Sequence, residues 1–200
     1  MLTYHNLIKQ LRLYRGKIYM IIGNGKRNQF RYLKDINIVV RKIIKEIPKN
    51  SAFLHFGDTS DKKKPDVGYV YELIKKYRPD IIIYMIQIKK AKSWGTPKFI
   101  KNVYWHTDYT KKCKYGGIIN DKPCSNTKKW INIHKKIGIK NVFILGGGNI
   151  TFDEYKLVKK LKINYTYFPM ERRFNGDGKT KIIDKNNLFM KIGITYGKII

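Results

Sequence analysis

The chain has 200 residues, of which 42% are hydrophobic, and a formal net charge of +29 at pH 7. That length fits one domain with a substantial core, and the hydrophobic fraction excludes a disordered chain. No apolar run reaches the length of a membrane span, and the first residues, broken by His5, Lys9 and Arg12, contain no signal-peptide core.

A field of this sign attracts polyanions, whether nucleic acid, nucleotide or an anionic surface. The excess is overwhelmingly lysine, spread along the whole sequence rather than gathered into an arm. Together with the abundance of Ile, Asn and Tyr, it fits AT-biased coding. Nucleic-acid binding through such a surface would be nonspecific. Two cysteines, Cys113 and Cys124, make no disulfide framework, so reduced thiols in a cytoplasmic, intracellular setting are the simpler expectation.

Residues 4–14 have the spacing of an amphipathic helix around Leu7, Leu11 and Tyr14. Lys17 to Ile22 reads as a core strand that ends in Gly23-Asn24-Gly25-Lys26. Glycines there suit a close approach to phosphate, with Lys26 or Arg27 as counter-charge; a plain turn explains them about as well. Ile36, Val39, Val40, Ile43, Ile44 and Ile47 then follow helical spacing until Pro48 stops the helix. Ala52 to Phe56 is the next strand, ending in Gly57-Asp58-Thr59. Pro65 and Asp66 open a helix with Val67, Val70, Tyr71 and Ile74 as its buried stripe. Arg78-Pro79 closes that helix, and Asp80 to Ile88 is a strongly apolar strand.

Phe99 to Trp105 reads as a further strand, Gly116 to Asn120 as a small hairpin strand, and Asp121-Lys122-Pro123 as a turn. Ser125-Asn126-Thr127 offers a helix cap before Trp130, Ile133 and Ile137, with Gly138 closing the helix. Val142 to Leu145 is a strand expected to be buried on both faces of a parallel sheet. Gly146, Gly147 and Gly148 follow at once, and a helix opens at Thr151 with Tyr155, Val158 and Leu161 on one face. Ile163 to Phe168 is the last clear strand, and Met170-Glu171-Arg172-Arg173 lies in a polar loop beyond it. This alternation of strands and helices specifies the α/β class: a single Rossmann-like domain, mostly parallel, with helices on both faces.

If the strands are parallel, three turns share one carboxyl edge: Gly23 to Lys26, Gly57 to Thr59 and Gly146 to Thr151. Backbone N–H groups at Gly147, Gly148 and Asn149, ahead of a helix N-terminus, suit phosphate, and Asp58 suits a ribose hydroxyl. Glu154, one turn into the helix, can serve as a general base on water or stabilise positive charge at a breaking glycosidic bond. The bland reading of Thr151-Phe152-Asp153-Glu154 is a capping box, which is expected whether or not a ligand binds. Three consecutive glycines exceed what a cap requires. His106, Cys113, Cys124 and His134 have zinc-compatible side chains but not the paired close spacing of a zinc site, so no metal is expected. Trp94, Trp105 and Trp130 are expected as core anchors.

Gly147-Gly148-Asn149-Ile150-Thr151-Phe152-Asp153-Glu154 resembles the Pro-Gly-Gly-x-Gly-Thr-x-x-Glu fingerprint of the SLOG superfamily. These are Rossmann-like proteins that include the "lonely guy" phosphoribohydrolases and nucleotide-sensing domains. Gly146 stands in place of the proline and Ile150 in place of the third glycine. Gly57-Asp58 and Gly68 are similar to further glycines of that family, and the likeness spans about Lys17 to Phe168. The resemblance implies binding of a nucleotide or a nucleotide-derived signal. For an enzyme it implies cleavage of the N-glycosidic bond of a nucleoside monophosphate, with Glu154 catalytic. The family's arginine-bearing helix motif has no counterpart upstream of the glycine loop, so the resemblance supports binding better than hydrolysis. Two other classes stay open. One is a basic nucleic-acid-binding protein on an α/β scaffold. The other is a cofactor enzyme: Phe143 to Ile150 also looks like the pyrophosphate loop of dihydrofolate-reductase-like proteins, which bind NADPH, and Gly23-Asn24-Gly25 with Asp58 suits S-adenosylmethionine.

Overall fold

The computed structural model describes residues 2–26, 28–57, 62–63, 65–89, 96–107, 118–119, 122–174 and 179. Among them the elements run α1 (Tyr4–Leu13), β1 (Ile18–Gly23), α2 (Leu33–Glu46), β2 (Ala52–His55), α3 (Val67–Tyr77), β3 (Ile82–Ile88) and β4 (Asn102–His106). A short pair, β5 (Ile118–Ile119) and β6 (Lys122–Pro123), precedes α4 (Ser125–Lys136), β7 (Asn141–Leu145), α5 (Asn149–Lys160) and β8 (Tyr165–Phe168). Six strands form one sheet in the order β4-β3-β2-β1-β7-β8, and every pairing in it is parallel. This is the Rossmann-like α/β architecture that the alternating pattern specifies.

Strand alternation divides the core in two. Tyr19, Ile21, Phe53, Ile83, Met85, Phe143 and Leu145 point to the face covered by α2 and α3. Ile18, Met20, Ile22, Leu54, Ile86, Val142 and Ile144 point to the face covered by α1, α4 and α5. Both sides being covered explains why the strands read as unbroken apolar runs. The helix stripes fall where the periodicity places them: Ile36, Val39, Val40 and Ile43 on α2, and Val67, Val70, Tyr71 and Ile74 on α3, are all buried. Trp130 is a core anchor at 1% exposure; Trp105 is half-buried in β4, and Trp94 lies outside the described residues.

Four local expectations are corrected. The Thr151–Glu154 capping box does not form: α5 begins at Asn149, Gly148 is its N-cap, and no side chain caps it. Both side chains have partners on other elements instead, since the Thr151 hydroxyl donates to the Gly23 carbonyl at 3.0 Å and Glu154 turns toward α4. Ser125, Asn126 and Thr127 are not a cap but buried residues within α4, whose N-cap is Cys124. Lys122-Pro123 pairs antiparallel with Ile118–Ile119 rather than forming only a turn. Cys124 is disulfide-bonded and not a reduced thiol. Among the described residues no helix is long and apolar enough to cross a membrane.

Candidate functional site

The strand order locates a switch point. From β1 the chain builds outward through β2, β3 and β4, then returns to the other side of β1 with β7 and β8. The loops leaving β1 and β7 therefore diverge, and ligands of open α/β sheets collect in the crevice so formed. Gly23 pairs with Leu145 at that point. A Cβ on Gly23 would lie 2.4 Å from the Leu145 carbonyl oxygen, so only glycine lets the two strand ends approach this closely. The three adjacent strand ends β2, β1 and β7 share one edge, as the sequence spacing anticipates.

The β7 loop is built for a tight turn. Gly146 (φ 57°) and Gly147 (φ 139°) occupy backbone regions that side chains rarely adopt, and Gly148 then caps α5. The Gly146 N–H donates to the Phe168 carbonyl at 2.9 Å. Gly147 and the first turn of α5 follow, and a helix leaves its first N–H groups without internal acceptors. The positive end of the helix dipole adds to them.

Two further loops close around this turn. The β1 loop is held on one side by Val67 N–H donating to the Asn24 carbonyl (3.0 Å) and Phe30 N–H donating to the Pro65 carbonyl (2.7 Å). On the other side, the segment after β8 runs antiparallel to it, bridging Phe30 to Arg172. Arg31 N–H donates to the Glu171 carbonyl (3.0 Å), Arg173 N–H to the Asn28 carbonyl (3.0 Å), and the Arg31–Glu171 ion pair at 2.8 Å ties the two loops at the surface. Residues 170–174 thus form a strap over the glycine turn, with the Met170 carbonyl 2.3 Å from where a Cβ on Gly146 would sit.

The polar side chains under this strap are unusual. Asn24 is fully buried, yet neither polar atom of its carboxamide has a hydrogen-bond partner, and the buried Oδ1 of Asn28 has none either. Buried polar groups are nearly always paired, and each left unpaired costs about 1–3 kcal/mol. Asn24 Nδ2 lies 3.2 Å from the position of a Gly146 Cβ. A Cβ on Gly148 would meet Asn28 Nδ2 at 2.8 Å and Arg172 Nη1 at 3.4 Å. Asn24, Asn28 and Arg172 therefore lie against the glycine turn.

Of the residues anticipated for binding, the structure brings together Gly23, Asn24, Gly146, Gly147, Gly148 and Thr151. The Asn149 backbone opens α5 beside them. Gly25 shapes the β1 loop, its carbonyl accepting from Asn28 N–H and Gln29 N–H at 2.9 Å. Lys26 is exposed, and Arg27, Asp58 and Thr59 lie outside the described residues. Gly57 (φ 84°) faces a different group: its carbonyl accepts from Gln87 Nε2 at 3.4 Å. Glu154 Oε1 accepts from Thr127 Oγ1 (3.0 Å) and Trp130 Nε1 (3.4 Å), which fixes the carboxylate between α5 and α4. Arg172 and Asn28 escape sequence reading. For Arg172 the signal is the Glu171-Arg172-Arg173 run directly after the last strand, which folds back over the glycine turn.

Among the described residues no group of three or more His, Cys, Asp or Glu could hold a metal ion. His106 Nε2 lies 3.0 Å from Asn126 Oδ1, and His134 Nδ1 accepts from Ile139 N–H at 3.1 Å. No protein family matches the sequence, and no curated protein matches it either.

Proposed function

We propose that this protein binds a nucleotide or a nucleotide-derived small molecule in the crevice between the ends of β1 and β7. The observation that carries this reading is the three-glycine turn, which leads from a central parallel strand into the N-terminus of α5 at the sheet's switch point. The likeness of residues 147–154 to the SLOG fingerprint supports the same reading. Under it Glu154 acts on the glycosidic carbon of a nucleoside monophosphate: water adds to C1′ as the C1′–N bond breaks, and the base leaves with a proton. Thr127 and Trp130 hold the carboxylate for that role.

The test is a thermal-shift panel of nucleoside monophosphates, ADP-ribose, NADPH and S-adenosylmethionine, since a ligand of the folded state raises the melting temperature. The decisive variant is Gly148→Asp. Its backbone (φ −112°) accepts a side chain, and aspartate is a favoured N-cap, so the fold persists while a carboxylate sits beside Asn28 and Arg172. The expected result is loss of the ligand-induced shift with an unchanged circular dichroism spectrum; an undiminished shift sinks the reading. Where a monophosphate binds, release of free base that disappears in Glu154→Gln identifies turnover. The net charge of +29 favours a second reading, nonspecific nucleic-acid binding, which predicts affinity for RNA or DNA that survives Gly148→Asp and falls steeply with salt.

A further inference from the structure

Two side chains beneath the strap keep hydrogen-bonding capacity that the fold does not use. Asn24 is fully buried with its Nδ2 donor and its Oδ1 acceptor both unpartnered, and Asn28 Oδ1 is a second buried acceptor without a partner. Both residues lie against the glycine turn, Asn24 Nδ2 at Gly146 and Asn28 Nδ2 at Gly148. The unmet set is thus one amide donor beside two acceptors. A bare phosphate only accepts, so it leaves both oxygens unmet. A lone hydroxyl carries one hydrogen and serves one of them. An acceptor atom flanked by an amino group, or by two N–H groups, serves the whole set.

We infer that Asn24 and Asn28 read the amide or amidine edge of a nucleotide's base. This inference rests on the nucleotide reading above and gives that site a base preference. Asn24 Nδ2 donates to a ring nitrogen or carbonyl, and Asn24 Oδ1 accepts from the neighbouring N–H, the bidentate contact that carboxamides make with adenine. Asn28 Oδ1 takes the remaining hydrogen. Adenine, cytosine and guanine each present an acceptor beside two such hydrogens. Hypoxanthine and uracil present an acceptor beside a single N–H, which strands one of the two oxygens. Because the strap covers both side chains, the base enters with residues 170–174 lifted from the β1 loop.

The probes are AMP and GMP against IMP, and CMP against UMP, compared by calorimetry and thermal shift on the full chain and on Asn24→Leu. The parent should bind the amino-bearing member of each pair about tenfold or more tightly. Asn24→Leu matches the side chain's size and removes unpaired buried groups. The unliganded variant should therefore melt no lower than the parent, while the preference within each pair collapses. Equal binding within every pair on the parent chain overturns the inference, as does a preference that survives Asn24→Leu. Weakened binding of 2′-deoxy or 3′-deoxy AMP without any base preference gives the carboxamides to the sugar and also overturns it. If unliganded Asn24→Leu melts lower than the parent or does not fold, Asn24 is structural and the inference falls. If nucleotides shift the parent chain and Gly148→Asp abolishes that shift while no pair is discriminated, the inference fails and the nucleotide reading stands. If no nucleotide shifts the parent chain, both fall.

Discussion

Two polar clusters lie along the carboxyl edge of the same sheet, and they differ in how their hydrogen bonds close. At the ends of β3 and β4, Gln87 accepts from Ile88 N–H and donates to the Gly57 carbonyl, and His106 meets Asn126 at 3.0 Å. These side chains are all buried, and each has a partner within the chain. At the ends of β1 and β7, Asn24 is just as deeply buried but has no partner, and Asn28 leaves its buried oxygen unpaired. The first cluster behaves as structure, fixing α4 to the strand ends. The second leaves hydrogen-bonding capacity that the fold itself does not take up. Burial of polar residues alone therefore does not mark a site; the informative quantity is what remains unsatisfied after the fold is complete.

Substitutions that remove paired polar groups should destabilise the unliganded protein, in contrast to Asn24→Leu. The largest effect is expected at Tyr71. Its hydroxyl accepts from Ile21 N–H at 2.9 Å and lies 2.6 Å from the Leu54 carbonyl, filling the gap where β1 and β2 part. Tyr71→Phe leaves an N–H and a carbonyl buried without partners and should cost about 2–3 kcal/mol in chemical denaturation. A loss below about 0.5 kcal/mol would mean that the strand ends relax to pair with each other. A somewhat smaller effect is expected for Asn126→Leu, which orphans His106 Nε2 and should cost about 1–2 kcal/mol. If Asn126→Leu proved neutral while Asn24→Leu proved costly, the assignment of the two clusters would be reversed.

The contrast also explains what was legible in the sequence. Strand and helix positions depend on periodicity within ten or so residues, so the two-faced sheet and the stripes of α2 and α3 could be read directly. The glycine turn was legible for the same reason, being a contiguous strand–turn–helix. Pairings between distant segments were not. Thr151 and Glu154 match a capping box locally, but the fold offers Thr151 the Gly23 carbonyl and Glu154 the donors Thr127 and Trp130. Ser125-Asn126-Thr127 looks like a cap in isolation, yet Asn126 is drawn to His106 and Thr127 to Glu154. Asn28 and Arg172 are separated by most of the chain, and no local pattern announces that they meet over Gly148.

A site whose polar groups are internally satisfied should also show itself through pH, and His134 near the end of α4 provides the smallest and most specific effect. Burial pushes its pKa below the ordinary 6.5, partly offset by a hydrogen bond to the Leu161 backbone. Its Nδ1 accepts from Ile139 N–H, which requires that nitrogen to be unprotonated. The unfolded chain therefore takes up the proton first as pH falls. Stability should decline as pH drops through 6.5 and level off once the folded form also protonates. Asp35 has the opposite sign, because burial raises its carboxyl pKa, so its contribution favours the folded state at lower pH and must be removed by difference. The measurement is denaturant stability of the parent chain and His134→Gln across pH 8 to about 5, a window that brackets the histidine's ordinary titration. The parent should lose stability relative to the variant toward the acid end. Parallel curves would show that the imidazole protonates without breaking the Ile139 contact.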